Sequence, residues 1–175
     1  MIDRYLNSHL VTLYLVPFVL GSLTVFSFEP FNFTLINFLI LPLFFYLIIY
    51  IKKKSKGTYR KKPFKKNLFI FGTAFGFGYY LSGIHWITHS LTFDQNFKFL
   101  IPVGLLLVPL FLSLFFSVLV VFIGPFLKLN SPSIFLLSSV LAISDFIRGK
   151  ILTGFPWNIW AYSFSWANEI IQILN

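Results

Sequence analysis

Read from its amino end, the chain alternates long apolar runs with short polar breaks, and the runs set its architecture. Five runs, at roughly 9–27, 33–51, 67–90, 99–127 and 133–152, reach or approach the ~20 apolar residues that one bilayer-crossing helix requires. The pattern predicts an all-α, polytopic transmembrane helix bundle of about five spans, forming one transmembrane domain over residues 1–175. The fourth run, "FLIPVGLLLVPLFLSLFFSVLVVFIGPFLKL", is longer than one bilayer. Its helix must tilt, kink at Pro109, or end in an interfacial turn at Pro125. The first run follows Asp3 and Arg4, is too long for a signal-peptide core and lacks a persuasive small-x-small cleavage site, so a retained anchor helix is expected.

Composition agrees. Hydrophobic residues make up 57% of the chain and charged residues 11%, against about 25% charged in soluble domains; so few polar groups cannot cover a soluble surface, whereas a bilayer removes that need. The net charge of +9 would suggest nucleic acid in a soluble protein. Its placement excludes that reading, because 9 of the 14 Lys and Arg fall in "KKKSKGTYRKKPFKK" (52–66), which has no acid, and the remaining 5 are cancelled by the 5 Asp and Glu. Such a loop is a topology signal that stays cytoplasmic and contacts anionic lipids. With 52–66 inside, the amino terminus is also cytoplasmic. The turns "SFEPFNF" (27–33) and "LTFDQNFK" (91–98) and the aromatic segment "TGFPWNIWAYSFSW" (153–166) then lie outside. Trp and Tyr suit that depth, being apolar in body and polar at one tip.

Three features are more than lipid-facing helix. Gly72, Gly76 and Gly83 stand among large aromatics in the third run, with the first two at the four-residue spacing that lets helix backbones approach. Asp145 and Arg148 lie three apart, on one helical face of an apolar segment, and such a pair is costly in lipid unless its members meet each other or a polar cavity. Glu29 before Pro30 marks the first outer turn. His85 and His89 share the four-residue spacing of some metal sites, but no third ligand accompanies them, and a polar interhelical or interfacial setting is the reading preferred. No cofactor or metal site is expected.

Four segments in order, "SFEPFNFTLINFLILPLFFYLI" (27–48), the basic loop, "GFGYYLSGIHWITHSL" (76–91) and "AISDFIRGKILTGFPWNIWAYS" (142–163), together resemble the N-terminal membrane domain of bacterial apolipoprotein N-acyltransferases. The acid-x-x-Arg pair followed by "TGFPW" carries most of the likeness; where the family commonly has Glu then Trp, this chain has Asp145 then Phe146. The resemblance implies transfer of an acyl chain from a phospholipid donor to the N-terminal diacylglyceryl-cysteine of an apolipoprotein, at the outer face of the bacterial inner membrane. It assigns catalysis to a nitrilase-like domain with a Glu-Lys-Cys triad, missing from this chain or separately encoded. With no Cys among the 175 residues, no thioester can form on them. They are expected to supply scaffold and lipid access, without a catalytic residue and inactive alone. The ending "SWANEIIQILN" reads as cut just before or within a further helix.

Two readings stand for the aromatic segment: composition makes Trp157 and Trp160 an interfacial anchor, while the resemblance makes Phe155, Pro156, Trp157 and Trp160 part of a lipid or lipopeptide groove. Asp145 and Arg148 are read as a structural ion pair ahead of a headgroup site. Other functions weighed are a stand-alone scaffold for a separate catalytic partner, such as a polyprenol-phosphate glycosyltransferase, and a small transporter, for which no second intramembrane acid is present.

Overall fold

The computed structural model describes residues 10–58, 63–151, 154, 157–167, 169 and 172; among them the regular structure is all helical, with no strand. The first apolar stretch, Val11–Ser27, combines a π-helical turn at Val11–Leu15, helix α1 (Val16–Leu23) and a 3-10 turn at Thr24–Ser27. Helices α2 (Asn37–Thr58) and α3 (Pro63–Ile84) follow, then 3-10 segments His85–Thr92 and Gln95–Leu100. Helix α4 (Ile101–Ile123), helix α5 (Ser131–Arg148) and a 3-10 turn at Trp160–Phe164 come next, and a further 3-10 turn, Thr34–Ile36, leads into α2. Among the described residues, three stretches are long and apolar enough to cross a membrane: Thr34–Ser55, Gln95–Ile123 and Ser131–Arg148.

The core is built around α3, which packs chiefly on α4 and α1. Its Leu68, Phe71, Phe75, Tyr79, Tyr80 and Ile84 are all buried. Phe75 meets Phe44 of α2 with ring centroids 4.3 Å apart and Phe116 of α4 at 5.1 Å. A helix surrounded by other helices is released from presenting hydrocarbon to lipid, so α3 can carry glycine, tyrosine and hydroxyl side chains. In contrast, α5 is peripheral: Phe135, Ile143 and Phe146 face outward, the apolar exterior that bilayer solvent favours.

Helix ends depart from the predicted runs for local reasons. Within the third run, α3 stops at Ile84 and a 3-10 helix takes over; there Thr88, Ser90 and Thr92 each donate a side-chain hydrogen bond to the carbonyl three residues earlier, local bonding that competes with α-helix. The fourth run divides into the 3-10 segment Gln95–Leu100 and α4. Pro109 lies inside α4 without ending it, and the chain turns at 124–126, around Pro125. Asn130 caps α5, its side-chain oxygen accepting from Ser133 N at 3.2 Å. At the same end of the bundle Lys52 donates to the carbonyls of Pro125 and, at 2.8 Å, Leu127, so this basic residue joins α2 to the α4–α5 connection.

Candidate functional site

The last turn of α5 places Asp145 and Arg148 one above the other, and Arg148 Nη2 donates to Asp145 Oδ1 at 3.0 Å. The arginine side chain is only 1% exposed. Its guanidinium lies 5.4 Å from the centroid of the Tyr80 ring. Nη1 donates to the Trp157 carbonyl at 2.7 Å and Nη2 to that of Asn158 at 3.3 Å. The second aspartate oxygen accepts from Trp160 N at 3.3 Å. Burial of an ion pair is tolerated when further hydrogen bonds satisfy both members, and here the chain 9 to 15 residues downstream supplies them. The pair thereby fixes the path of the aromatic segment.

Asn158 is the second clasp. Its φ of 56° is left-handed, a region Asn tolerates better than most residues. Its carbonyl accepts from Tyr79 Oη at 2.7 Å while its side-chain amide donates to the Tyr79 carbonyl at 3.3 Å. A Cβ on Gly83 would strike that amide, so Gly83 serves the segment's attachment to α3. Gly72 and Gly76 act elsewhere on α3: a Cβ at Gly72 would come within 2.7 Å of Ser117 Cα and one at Gly76 within 2.8 Å of Ser113 Cα, both on α4. Between them the hydroxyls of Thr73 and Ser117 lie 2.7 Å apart.

The left-handed turn sends Trp157 and Trp160 in different directions. Trp157 is half exposed and meets Trp86 edge-on at 5.7 Å. Trp160 turns inward and lies against the Tyr79 ring, centroids 5.1 Å apart. Phe155 and Pro156 lie outside the described residues. Beyond Trp160 the segment is tied to the first loop: Thr34 donates to the Ser163 carbonyl at 2.6 Å, Trp166 Nε1 donates to Thr34 Oγ1 at 2.7 Å, and Ser165 donates to Glu29 at 3.2 Å. His85 and His89 are both exposed, hydrogen-bonded locally to Ser82 and Thr92; with three residues per 3-10 turn they point about 120° apart, not along one face.

Sequence reasoning missed Tyr79, Tyr80 and Asn158 as members of this cluster. A usable signal for them existed: an intramembrane arginine needs more acceptors than one aspartate offers, and polar side chains or a left-handed-tolerant Asn nearby are where to seek them. It also missed the contact of Gly21 with α3 at Phe75 and of Gly78 with α1 at Phe18, where a Cβ would overlap a backbone carbonyl. The two charges neutralise each other, and the surrounding indoles, phenols and carbonyls suit positioning and binding of apolar groups with polar ends.

The arrangement defines a helical membrane domain in which a buried ion pair holds an aromatic segment against the central helix. The chain belongs to the family described as the apolipoprotein N-acyltransferase N-terminal domain, whose model matches residues 20–175. It is 32% identical over 146 residues to the apolipoprotein N-acyltransferase of Rhodopseudomonas palustris, covering 83% of this chain and 26% of that protein. With the Rickettsia typhi apolipoprotein N-acyltransferase the identity is 31% over 163 residues, 92% of this chain and 30% of the relative. The Rickettsia bellii protein of the same name shares 36% over 105 residues, 59% of this chain and 21% of the relative. The chain thus spans about a quarter of the length of these curated relatives.

Proposed function

We propose that these residues form the membrane portion of an apolipoprotein N-acyltransferase, the enzyme that moves an acyl chain from a phospholipid to the N-terminal diacylglyceryl-cysteine of a lipoprotein. They provide the scaffold and the route by which both lipids arrive, while a nitrilase-like domain elsewhere performs the chemistry. The chain crosses the inner membrane five times from a cytoplasmic amino terminus, with the 52–66 loop on anionic lipid inside and residues 153–166 at the outer face. Phe155, Pro156, Trp157 and Trp160 border the lipid route, Asp145 and Arg148 form the structural pair that fixes it, and Gly72, Gly76 and Gly83 allow the close packing.

Beside the family match, the observation that supports this role is the half-exposed Trp157 ring, whose backbone is pinned by a fully buried arginine. An aromatic surface held in place by a desolvated charge is preorganised for an apolar ligand. The test is acyl transfer from phospholipid to a diacylated lipopeptide, measured with full-length protein that contains this chain. Trp157→Ala is expected to slow transfer at unchanged protein level; unaltered turnover overturns the route assigned to this segment, and absence of any transfer by the unsubstituted full-length protein overturns the enzyme assignment.

A further inference from the structure

A second apolar site lies away from Trp157, between α2 and α5 and under the 3-10 turn Trp160–Phe164. Its cavity is about 340 Å³, within the range that holds a small ligand. Leu41, Phe45, Leu137 and Leu141 contribute to its walls, and Phe38 and Ile134, which also line it, are exposed on the outer surface of the bundle. In a bilayer such a mouth opens onto lipid chains. Two residues of the lining carry a buried polar atom. Asn37, only 5% exposed, uses its amide N–H to donate to Ser163 Oγ at 3.1 Å, but its side-chain carbonyl Oδ1 has no hydrogen-bond partner among the described residues. The indole Nε1 of Trp160 is likewise buried without an acceptor. Both residues line this one cavity. A buried donor and a buried acceptor, each unsatisfied, are costly in a low-dielectric setting, and a ligand that satisfies both removes that cost.

We propose that this cavity binds a monoacyl lipid, its single chain between α2 and α5 and a free glycerol hydroxyl donating to Asn37 Oδ1 while accepting from Trp160 Nε1. A hydroxyl supplies both functions from one oxygen. In diacyl phosphatidylcholine both acyl-bearing glycerol oxygens are esters, which only accept, and the choline headgroup has no hydroxyl, so that lipid lacks the complement. The inference rests on the membrane-spanning reading and on no step of acyl transfer.

The test uses full-length protein in which every tryptophan except Trp160 is replaced by Phe, reconstituted in nanodiscs. Trp160 fluorescence is read against increasing mole fractions of a bromine-labelled monoacyl phosphatidylcholine, of the matching diacyl lipid, and of an N-acyl amide of equal chain length. The monoacyl lipid is expected to reach half-quenching at about tenfold lower mole fraction than the diacyl lipid, the effect of one buried hydrogen-bonding pair. Asn37→Leu, which removes the acceptor, and Ser138→Phe, which narrows the cavity from an exposed position, each abolish the difference. Equal quenching by monoacyl and diacyl lipids, a difference that survives Ser138→Phe, or a preference for the amide overturns the proposal. Acyl transfer is scored separately on full-length protein that keeps its native tryptophans, so failure at this cavity is distinguished from failure of the enzyme assignment.

Discussion

Arg148 Nη1 lies 2.7 Å from the carbonyl oxygen of Trp157: a charge buried at the end of α5 grips the backbone beneath an exposed indole. The same guanidinium reaches Asp145 and Asn158. Replacing Arg148 by Met therefore strands a buried aspartate and frees the segment, a loss of about 3–5 kcal/mol for breaking one side of a buried pair. Thermal unfolding in detergent should show Arg148→Met well below the parent, with the double variant Asp145→Leu/Arg148→Met recovering part of the loss. Arg148→Lys should resemble the Met variant more than the parent, because an ammonium lacks the planar fork that spans three acceptors.

The glycine contacts allow a paired comparison. Gly72→Ala places a methyl against the α4 backbone at Phe116 and Ser117 and should cost about 1–3 kcal/mol, as overpacking does. Gly104, on the same α4, has no heavy atom nearer than 3.6 Å to a built Cβ; Gly104→Ala should be neutral or stabilise by up to about 1 kcal/mol through helix propensity. Melting temperatures of the two variants, measured side by side, check both signs.

At Asn158 the backbone and the side chain make separable contributions. Asn158→Gly keeps the left-handed turn and loses the amide bond to Tyr79, whereas Asn158→Ala loses both, so Ala should be the less stable by about 1 kcal/mol. Fluorescence of Trp157 and Trp160, which diverge from this turn, is a second readout: a larger spectral shift is expected for Ala than for Gly.

Sidedness follows from a property of the composition. None of the 175 residues is Cys, so within this part of the protein the labelling of a single introduced cysteine, mapped by proteolysis, reports on its own position. Phe93→Cys, at an 89% exposed site, should react with a membrane-impermeant maleimide in intact cells with the outer membrane permeabilised, and Lys65→Cys should react only after lysis. The reverse labelling overturns the orientation drawn from the basic loop.

Helix existence was legible in hydropathy because lipid imposes a length and a composition on whatever it touches. The spacing of Asp145 and Arg148 and of Gly72 and Gly76 was legible because helical geometry makes short spacings into shared faces. Contacts between distant parts of the chain left no such mark. Gly21 on Phe75, Thr34 on Ser163 and Glu29 on Ser165 each join residues more than 50 positions apart, and periodicity says nothing about which helix fills a given face. The opposed directions of Trp157 and Trp160 were also hidden, since they depend on one backbone angle at Asn158.

The enclosure of α3 bears on how the protein is made. Phe71, Phe75 and Tyr79 find their partners on α1, α2 and α4, and the stretches apolar enough to cross by themselves lie on either side of α3 in the chain. A translocon that sorts segments one at a time by greasiness has weak grounds for releasing this helix sideways into the membrane. Its commitment then depends on α2 already standing there and on α4 arriving behind it, so α3 settles only once a neighbour that leaves the ribosome after it is in place.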